Sequence, residues 1–286
     1  MSDFAATATS DSVVSTITLP DGRGDRVIWR QGTGRPLLLI QGMSGTHDHW
    51  GSGLVDRLLA DGRALLTVNH RGVYGTAIPE AGYTVADLAD DQAAALEVLG
   101  IDEPIDVFGI SMGGMTALHL AVRYPEQVRT LALGCTTAGG ALMTYPAQET
   151  IQGLFAAQQS GDPEQALRAG FEVNFSPSQW ADEALYAHFK EVTMRAPVPV
   201  PVILGQFQAI AAHDVSTQLA EVTVPTAVLH GTADQMLPYP NGVAIHDAIA
   251  GATLDTFDEV GHLLFWEDAP RTADILRDLS ARSRER

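Results

Sequence analysis

Residues 107–117 read VFGISMGGMTA and set Ser111 among glycines, directly after an apolar run and directly before a helix-forming segment. Gly109-Ile110-Ser111-Met112-Gly113 fits the pattern G-x-S-x-G, in which a sharp strand-to-helix turn lifts a serine hydroxyl above the end of a sheet. Glycines at the second positions on either side remove side chains that would clash across so tight a bend. The Met112 N–H then stands at a helix N-terminus, oriented toward a developing oxyanion. A glycine-rich turn without chemistry can carry the same five residues, so the partners decide. A serine hydroxyl is a poor nucleophile near neutral pH; it needs a base, and the base needs an orienting acid.

Nine histidines compete for the role of base. His262, in Glu259-Val260-Gly261-His262, directly follows the last strand-like run and emerges at the same sheet edge as Ser111. His230 lies inside the run TAVLHG and reads as a hydrogen-bonded core residue, while His119 rides two turns along the helix after Ser111 and points away from its start. His188 and His213 fall in or beside an inserted segment, His246 on a surface helix, and His70 in the loop after the fourth strand. The acid must also follow a strand at the carboxyl edge. HGTADQMLP offers Asp234 after the seventh strand, whereas GCTTAGG, after the sixth, offers no carboxylate. The order Ser111, Asp234, His262 along the chain is one that a strand-turn-helix nucleophile uses. His47-Asp48-His49 holds metal-ligand types close together, but a metal needs a further distant ligand, so these residues read as a helix start at a pocket rim and no metal is expected.

These residues need a scaffold with several strand ends on one edge. Apolar runs of five to seven residues occur at 35–41, 63–69, 104–110, 129–135, 225–231 and 252–258, flanked by Gly and Pro, and fit strands buried on both faces of a parallel sheet. VVSTITL and RVIWRQ, split by Pro20-Asp21-Gly22, add an antiparallel hairpin. Helix-period segments alternate with the runs; Thr84 with Asp87 forms a capping box and Gly100 a stop. The pattern predicts an α/β fold with an eight-stranded, mostly parallel sheet flanked by helices. About 90 residues separate Cys135 from Pro225, far more than one crossover requires. Residues 138–202 are therefore expected to form an inserted helical cap, with APVPVPV as a stiff joint and a helix over about 203–220 returning to the core. The core then comprises 13–137 and 203–286, after a polar tail at 1–12.

Composition narrows the partners. Thirty-five acidic against seventeen basic residues give a formal charge of −18, which disfavours nucleic acid and anionic membrane surfaces. No apolar run reaches the ~18 residues of a membrane helix. The single cysteine, Cys135, reads as a small buried hydrophobe. With no basic-then-apolar leader at MSDFAATATSDS, a cytoplasmic monomer or homodimer acting on a small molecule without a cofactor is expected.

From about residue 26 to 280 the chain resembles the α/β-hydrolase superfamily. GISMGG is similar to the elbows of cofactor-free haloperoxidase-type esterases and enol-lactone hydrolases, VPTAVLHGTADQMLP to the acid-bearing strand and turn, and GHLLFWEDAP to the histidine turn and closing helix. NHRGVYGT resembles a D-x-R-G-x-G-x-S loop with Asn69 in place of Asp, and LLLIQGMSG has Gln41 where the family commonly has the His of an HG pair. The resemblance implies Met43 N–H as the second oxyanion donor; Gln41, beside the substrate, either preserves that loop by hydrogen bonding or marks altered chemistry, and His47, just after the loop, is a candidate substrate contact. The implied reaction is attack of Ser111 on an acyl carbonyl, with His262 as base and Asp234 as orienter, followed by hydrolysis of the acyl-enzyme. The apolar cap, with Leu142, Met143, Tyr145, Leu154, Phe155, Phe171, Phe175, Trp180, Phe189 and Met194 packing its helices together or facing the cleft, favours an uncharged, lipophilic ester, lactone or thioester. Alternatives on the same residues are a lyase of secondary metabolism (acyl elimination or C–C cleavage), perhydrolysis, or a non-catalytic ligand receptor.

Overall fold

The computed structural model describes residues 11–76, 78, 79 and 82–282. Its strands are β1 (Val13–Leu19), β2 (Gly24–Gln31), β3 (Arg35–Ile40), β4 (Arg63–Val68), β5 (Ile105–Ile110), β6 (Val128–Gly134), β7 (Thr226–Gly231) and β8 (Thr253–Phe257). They form one sheet in the order β1-β2-β4-β3-β5-β6-β7-β8. β1 pairs with β2, and β2 with β4, in antiparallel fashion; every other pairing is parallel. The hairpin and the six apolar runs are thus the eight strands expected from the sequence. Of the expected tail, residues 1–10 lie outside the described residues, and Ser12 accepts a hydrogen bond from Trp29 Nε1 at 2.7 Å.

The continuous apolar runs follow from cover on both faces. Leu38, Ile40, Leu66, Val107, Leu131 and Val228 face a core built with α2 (Val85–Val98) and α3 (Met112–Arg123). Their neighbours Leu37, Leu39, Leu65, Phe108, Ala132 and Leu229 face the opposite core, made with α1 (Gly51–Ala60) and a C-terminal helix, Ala269–Arg282. Each fully buried Leu or Phe contributes about 1.5–3 kcal/mol of transfer free energy. The crossover from β3 to β4 runs through α1, and that from β4 to β5 passes back over β3 through α2. Right-handed crossovers in opposite directions put the two helices on opposite faces, and a crevice opens where the winding reverses, between the carboxyl ends of β3 and β5.

Between β6 and β7 the chain leaves the sheet and forms α4 (Gln148–Gln159), α5 (Pro163–Asn174), α6 (Glu183–Arg195) and α7 (Val200–Ala211). The Asp162 and Asp182 carboxylates cap α5 and α6 by accepting backbone N–H groups of their first turns. Phe171, Phe175, Tyr186 and Phe189 form a small core of their own, with Trp266 packed against it. The joint before α7 is shorter than APVPVPV suggests, because α7 already begins at Val200. Pro199 supplies its extended N-cap and Pro201 sits in the first turn, where no backbone N–H is needed. α7 also stops at Ala211, and the rest of the expected 203–220 helix is a loop and a short 3-10 turn at Ser216–Glu221. The chain then completes β7, α8 (Pro240–Ala248), β8, α9 (Leu264–Glu267) and α10 (Ala269–Arg282). Among the described residues, no helix is long and apolar enough to cross a membrane.

Candidate active site

β5 ends at Ile110 and α3 begins at Met112, so Ser111 alone makes the turn, with φ 56° and ψ −123°. A non-glycine residue held there stores on the order of 1–3 kcal/mol of strain. The surroundings hold it: Ser111 N–H donates to Gly134 O at 2.9 Å, and Thr136 Oγ1 donates to Ser111 O at 2.7 Å. A Cβ at Gly109 would overlap the carbonyl of Gly113, and one at Gly113 would overlap that of Ile40. Only glycine lets helix and strands approach this closely.

The loop after β3 lies against this serine. It turns through a hydrogen bond from Gly45 N to Gly42 O at 3.2 Å, with Ser44 at φ 60°, and a Cβ on Gly42 would sit 3.6 Å from Ser111 Oγ. Neither Met43 N–H nor Met112 N–H donates to another described residue, so both are available to an oxyanion. Gln41 is buried beneath the turn: its Oε1 accepts from Gly42 N at 3.2 Å, its carbonyl accepts from His70 Nε2 at 2.8 Å, and its Nε2 has no partner. It braces the loop from inside. Asn69 braces it from the side, accepting His47 N–H at 3.3 Å and donating to Val27 O at 3.1 Å. A residue of α7 that the sequence did not suggest, Gln206, is fully buried and accepts Ser44 N–H at 2.9 Å.

His47 and His49 belong to a 3-10 turn, His47–Trp50, at the start of α1. The His47 ring is buried between Trp29, stacked at 5.8 Å, and the edge of Tyr74 at 4.4 Å, and burial lowers its pKa. His49 Nδ1 is taken by Thr46, and Asp48 pairs with Arg195 of α6 at 3.2 Å, which ties the inserted helices to this rim.

Asp234 follows β7 in a turn that uses both of its oxygens. Oδ1 accepts Met236 N–H at 2.8 Å and Leu237 N–H at 2.9 Å; Oδ2 lies 2.8 Å from His262 Nδ1. Burial would push this carboxyl up, but the His262 ring and the N–H of His230 outweigh it and hold Asp234 below the usual carboxylate range. An ionised carboxylate can only accept, so His262 carries its proton on Nδ1 and keeps the Nε2 lone pair for a substrate proton. No hydrogen bond joins Ser111 Oγ to His262 Nε2 among the described residues. The histidine turn is itself anchored: Glu267 Oε1 accepts Gly261 N–H and Ser176 N–H, both at 2.9 Å, which also fastens the insertion to the sheet edge. No local pattern of residues announces this bracket.

Cys135, His230 and Asp234 offer metal-ligand types within 4.8 Å of one another. Their polar atoms are largely committed, however: both Asp234 oxygens to the contacts above and His230 Nε2 to Leu237 O at 2.7 Å. Burial pushes the Cys135 thiol well up, which keeps it protonated.

The inserted helices place the expected cleft residues unevenly. Met143 joins Met43, Met112, Met115 and Leu237 in an apolar cluster beside the elbow, and Leu142 packs on the main core. Phe171, Phe175 and Phe189 are consumed by the insertion's own core. Tyr145 and Phe155 are 73% and 63% exposed, and Met194 also stands in solvent, which corrects the expectation that they line a cleft. For Phe155 the reason is that α4 packs mainly on α5 and leaves its outer face bare. Trp180 and Leu154 border a cavity of about 340 Å³ between α4 and α5, reached by Gln235 but lined by neither Ser111 nor His262. The Trp180 indole N–H is spent on Glu172 O and Phe175 O.

A 2-hydroxymuconate semialdehyde hydrolase of Pseudomonas sp. (strain CF600) is 28% identical over 260 residues, covering 87% of this chain and 88% of that protein. An esterase from Exiguobacterium antarcticum superposes with a TM-score of 0.78 at 23% identity, over 93% of this chain and 98% of that one. The enol-lactonase from Burkholderia xenovorans LB400 does so with a TM-score of 0.77 at 20% identity, over 93% and 100%. At these identities the two structures speak for the fold alone. Residues 35–269 match the alpha/beta hydrolase fold family, from β3 through the elbow and both candidate partners to the start of α10, and the chain belongs to that family.

Proposed function

We propose that the chain is a serine hydrolase that cleaves an uncharged, lipophilic carboxylic ester, lactone or thioester through an acyl-enzyme. The observation that carries this reading is Ser111, held at φ 56° beside two N–H groups without acceptors, on the sheet edge where Asp234 holds His262. Substrate binding brings Ser111 Oγ and His262 Nε2 together, a contact that is often long in the free enzyme. Ser111 Oγ attacks the carbonyl carbon as His262 Nε2 takes its proton, and the carbonyl oxygen becomes an oxyanion on Met43 N–H and Met112 N–H. Collapse expels the alcohol or thiol, which leaves with the proton from His262. Water then attacks the acyl-enzyme, gives its proton to His262, and the acid departs as Ser111 recovers the hydrogen. The methionine cluster around the elbow supplies an apolar wall, and the nearby cations Arg71 and Arg195 are paired with Asp91 and Asp48, which favours a neutral acyl group.

A fluorophosphonate should label wild-type protein at Ser111 and leave Ser111→Ala unlabelled, with esterase turnover lost and the melting temperature unchanged. Labelling that persists in the variant, or fails in the folded wild type, removes the reading. A second reading keeps the same residues and hydrolyses a carbon–carbon bond; the relative named for 2-hydroxymuconate semialdehyde favours it. Comparing kcat/KM for that semialdehyde and for p-nitrophenyl butyrate separates the two.

A further inference from the structure

His230 is fully buried near the carboxyl end of strand β7, four residues before Asp234, and it makes contacts that a space-filling residue would not need. Its Nε2 lies 2.7 Å from Leu237 O, and a carbonyl can only accept, so Nε2 carries the hydrogen. Leu237 in turn gives its own N–H to Asp234 Oδ1. The same His230 Nε2 stands 3.3 Å from Asp234 Oδ2, the oxygen that also meets His262. The other ring nitrogen, Nδ1, has no partner and is sealed by Gly242, where a Cβ would come within 2.5 Å of it. The N–H of the ring is therefore directed toward Leu237 and Asp234 and away from Gly242.

We propose that His230 is a positioning residue for Asp234: it fixes the 234–237 turn through Leu237 and lends its N–H dipole to the carboxylate oxygen that holds His262. The same carboxylate oxygen thus faces both imidazoles, His262 at 2.8 Å and His230 at 3.3 Å. The other titratable groups around this cluster are Cys135 at the end of β6, Tyr239 with its edge toward His230, and Glu267 of α9, which is held by Ser176 and Gly261.

The proposal rests on the serine-hydrolase reading for its kinetic readout, so a second readout is independent of turnover. His230→Leu removes the N–H, while His230→Gln places an amide N–H near the position of Nε2. In His230→Leu the acid limb of kcat/KM should move up by roughly 0.5–1 pH unit, because the full carboxylate charge then falls on His262. His230→Gln should restore it. The downfield NMR signal of the His262 Nδ1 proton should titrate with the same displacement, whether or not an ester is turned over. His230→Asn, whose amide stops short of Leu237 O, should behave like His230→Leu and serves if that variant does not fold. An acid limb and an NMR titration that stay in place in the Leu or Asn variant, or that Gln fails to restore, overturn the proposal. If the NMR titration shifts as expected while no ester is cleaved and no fluorophosphonate reacts, the hydrolase reading fails and the role of His230 stands.

Discussion

Asp234→Asn tests the proposed triad at the one atom the surrounding hydrogen bonds cannot accommodate. Met236 N–H and Leu237 N–H both donate to Oδ1, so the amide oxygen of the introduced asparagine must stay on that side. Its NH2 group is then forced into the place of Oδ2, 2.8 Å from His262 Nδ1 and 3.3 Å from the N–H of His230. Two donors cannot face each other across 2.8 Å, so His262 gives up its Nδ1 proton and takes one on Nε2. That tautomer presents an N–H to Ser111 where a lone pair is needed. A wrong tautomer with intact geometry costs about 10⁴ in kcat in serine proteases, or about 5.5 kcal/mol of barrier, and a loss of that order is expected here. The assay is p-nitrophenyl butyrate hydrolysis at pH 7–8, with thermal unfolding as a control for the fold. The carboxyl of Asp234 is held below its unfolded value, so its contribution to stability is full above about pH 4 and fades as the pH falls toward the folded value. Acid unfolding of the Asp234→Asn variant should therefore lack part of the wild-type drop in that range. An Asp234→Asn enzyme within tenfold of wild-type kcat/KM would refute the tautomer reasoning and, with it, the role given to Asp234.

Gly113→Ala puts a methyl group against the carbonyl of Ile40; the first turn of α3 must shift, with about 1–3 kcal/mol lost in urea unfolding and about 10²-fold in fluorophosphonate labelling rate as Met112 N–H is displaced. Glu267→Ala leaves the buried-side N–H groups of Gly261 and Ser176 without an acceptor and should cost about 2–4 kcal/mol, whereas Glu267→Gln, which keeps one oxygen, should stay within about 1 kcal/mol of wild type in the same measurement. Burial holds His49 and His119 at about 4, below the ~6.5 of an unfolded histidine. Between those values the unfolded chain binds more protons, so the free energy of unfolding in urea should fall as the pH drops from 6.5 to 4, by up to ~1.4 kcal/mol per pH unit for each group, and His119→Gln should flatten the slope.

The sheet was legible because each buried strand writes its burial into the sequence as a short apolar run, and the order of strand ends along the chain limits which residues can share an edge. Ser111, Asp234 and His262 stand out for that reason: each directly follows a run, and Asp234 and His262 do meet at 2.8 Å. The supports of the site were not legible, and the separations say why. Gln206 meets Ser44 across 162 positions, and Glu267 meets Ser176 across 91, on opposite sides of an insertion whose docking no local pattern encodes. Gln206 is also flanked in sequence by Leu204 and Phe207, which are 56% and 51% exposed, so on α7 the structure buries an amide and leaves apolar neighbours bare, the reverse of what residue type suggests. The same ambiguity affects the aromatic residues between β6 and β7. Phe171 and Phe155 both lie on short helices that carry few apolar residues, and nothing local distinguishes a ring that packs α5 on α6 from one left bare on α4. The proposed catalytic positions follow the ends of strands and are readable from the sheet. On the proposed function the four helices between β6 and β7 are the part that selects the substrate, and the contacts that dock them on the sheet edge (Arg195 to Asp48, Ser176 to Glu267, Gln206 to Ser44) are a few polar bonds between distant segments. Exchanging the insertion between relatives should therefore carry specificity with it only when these three anchors are carried as well.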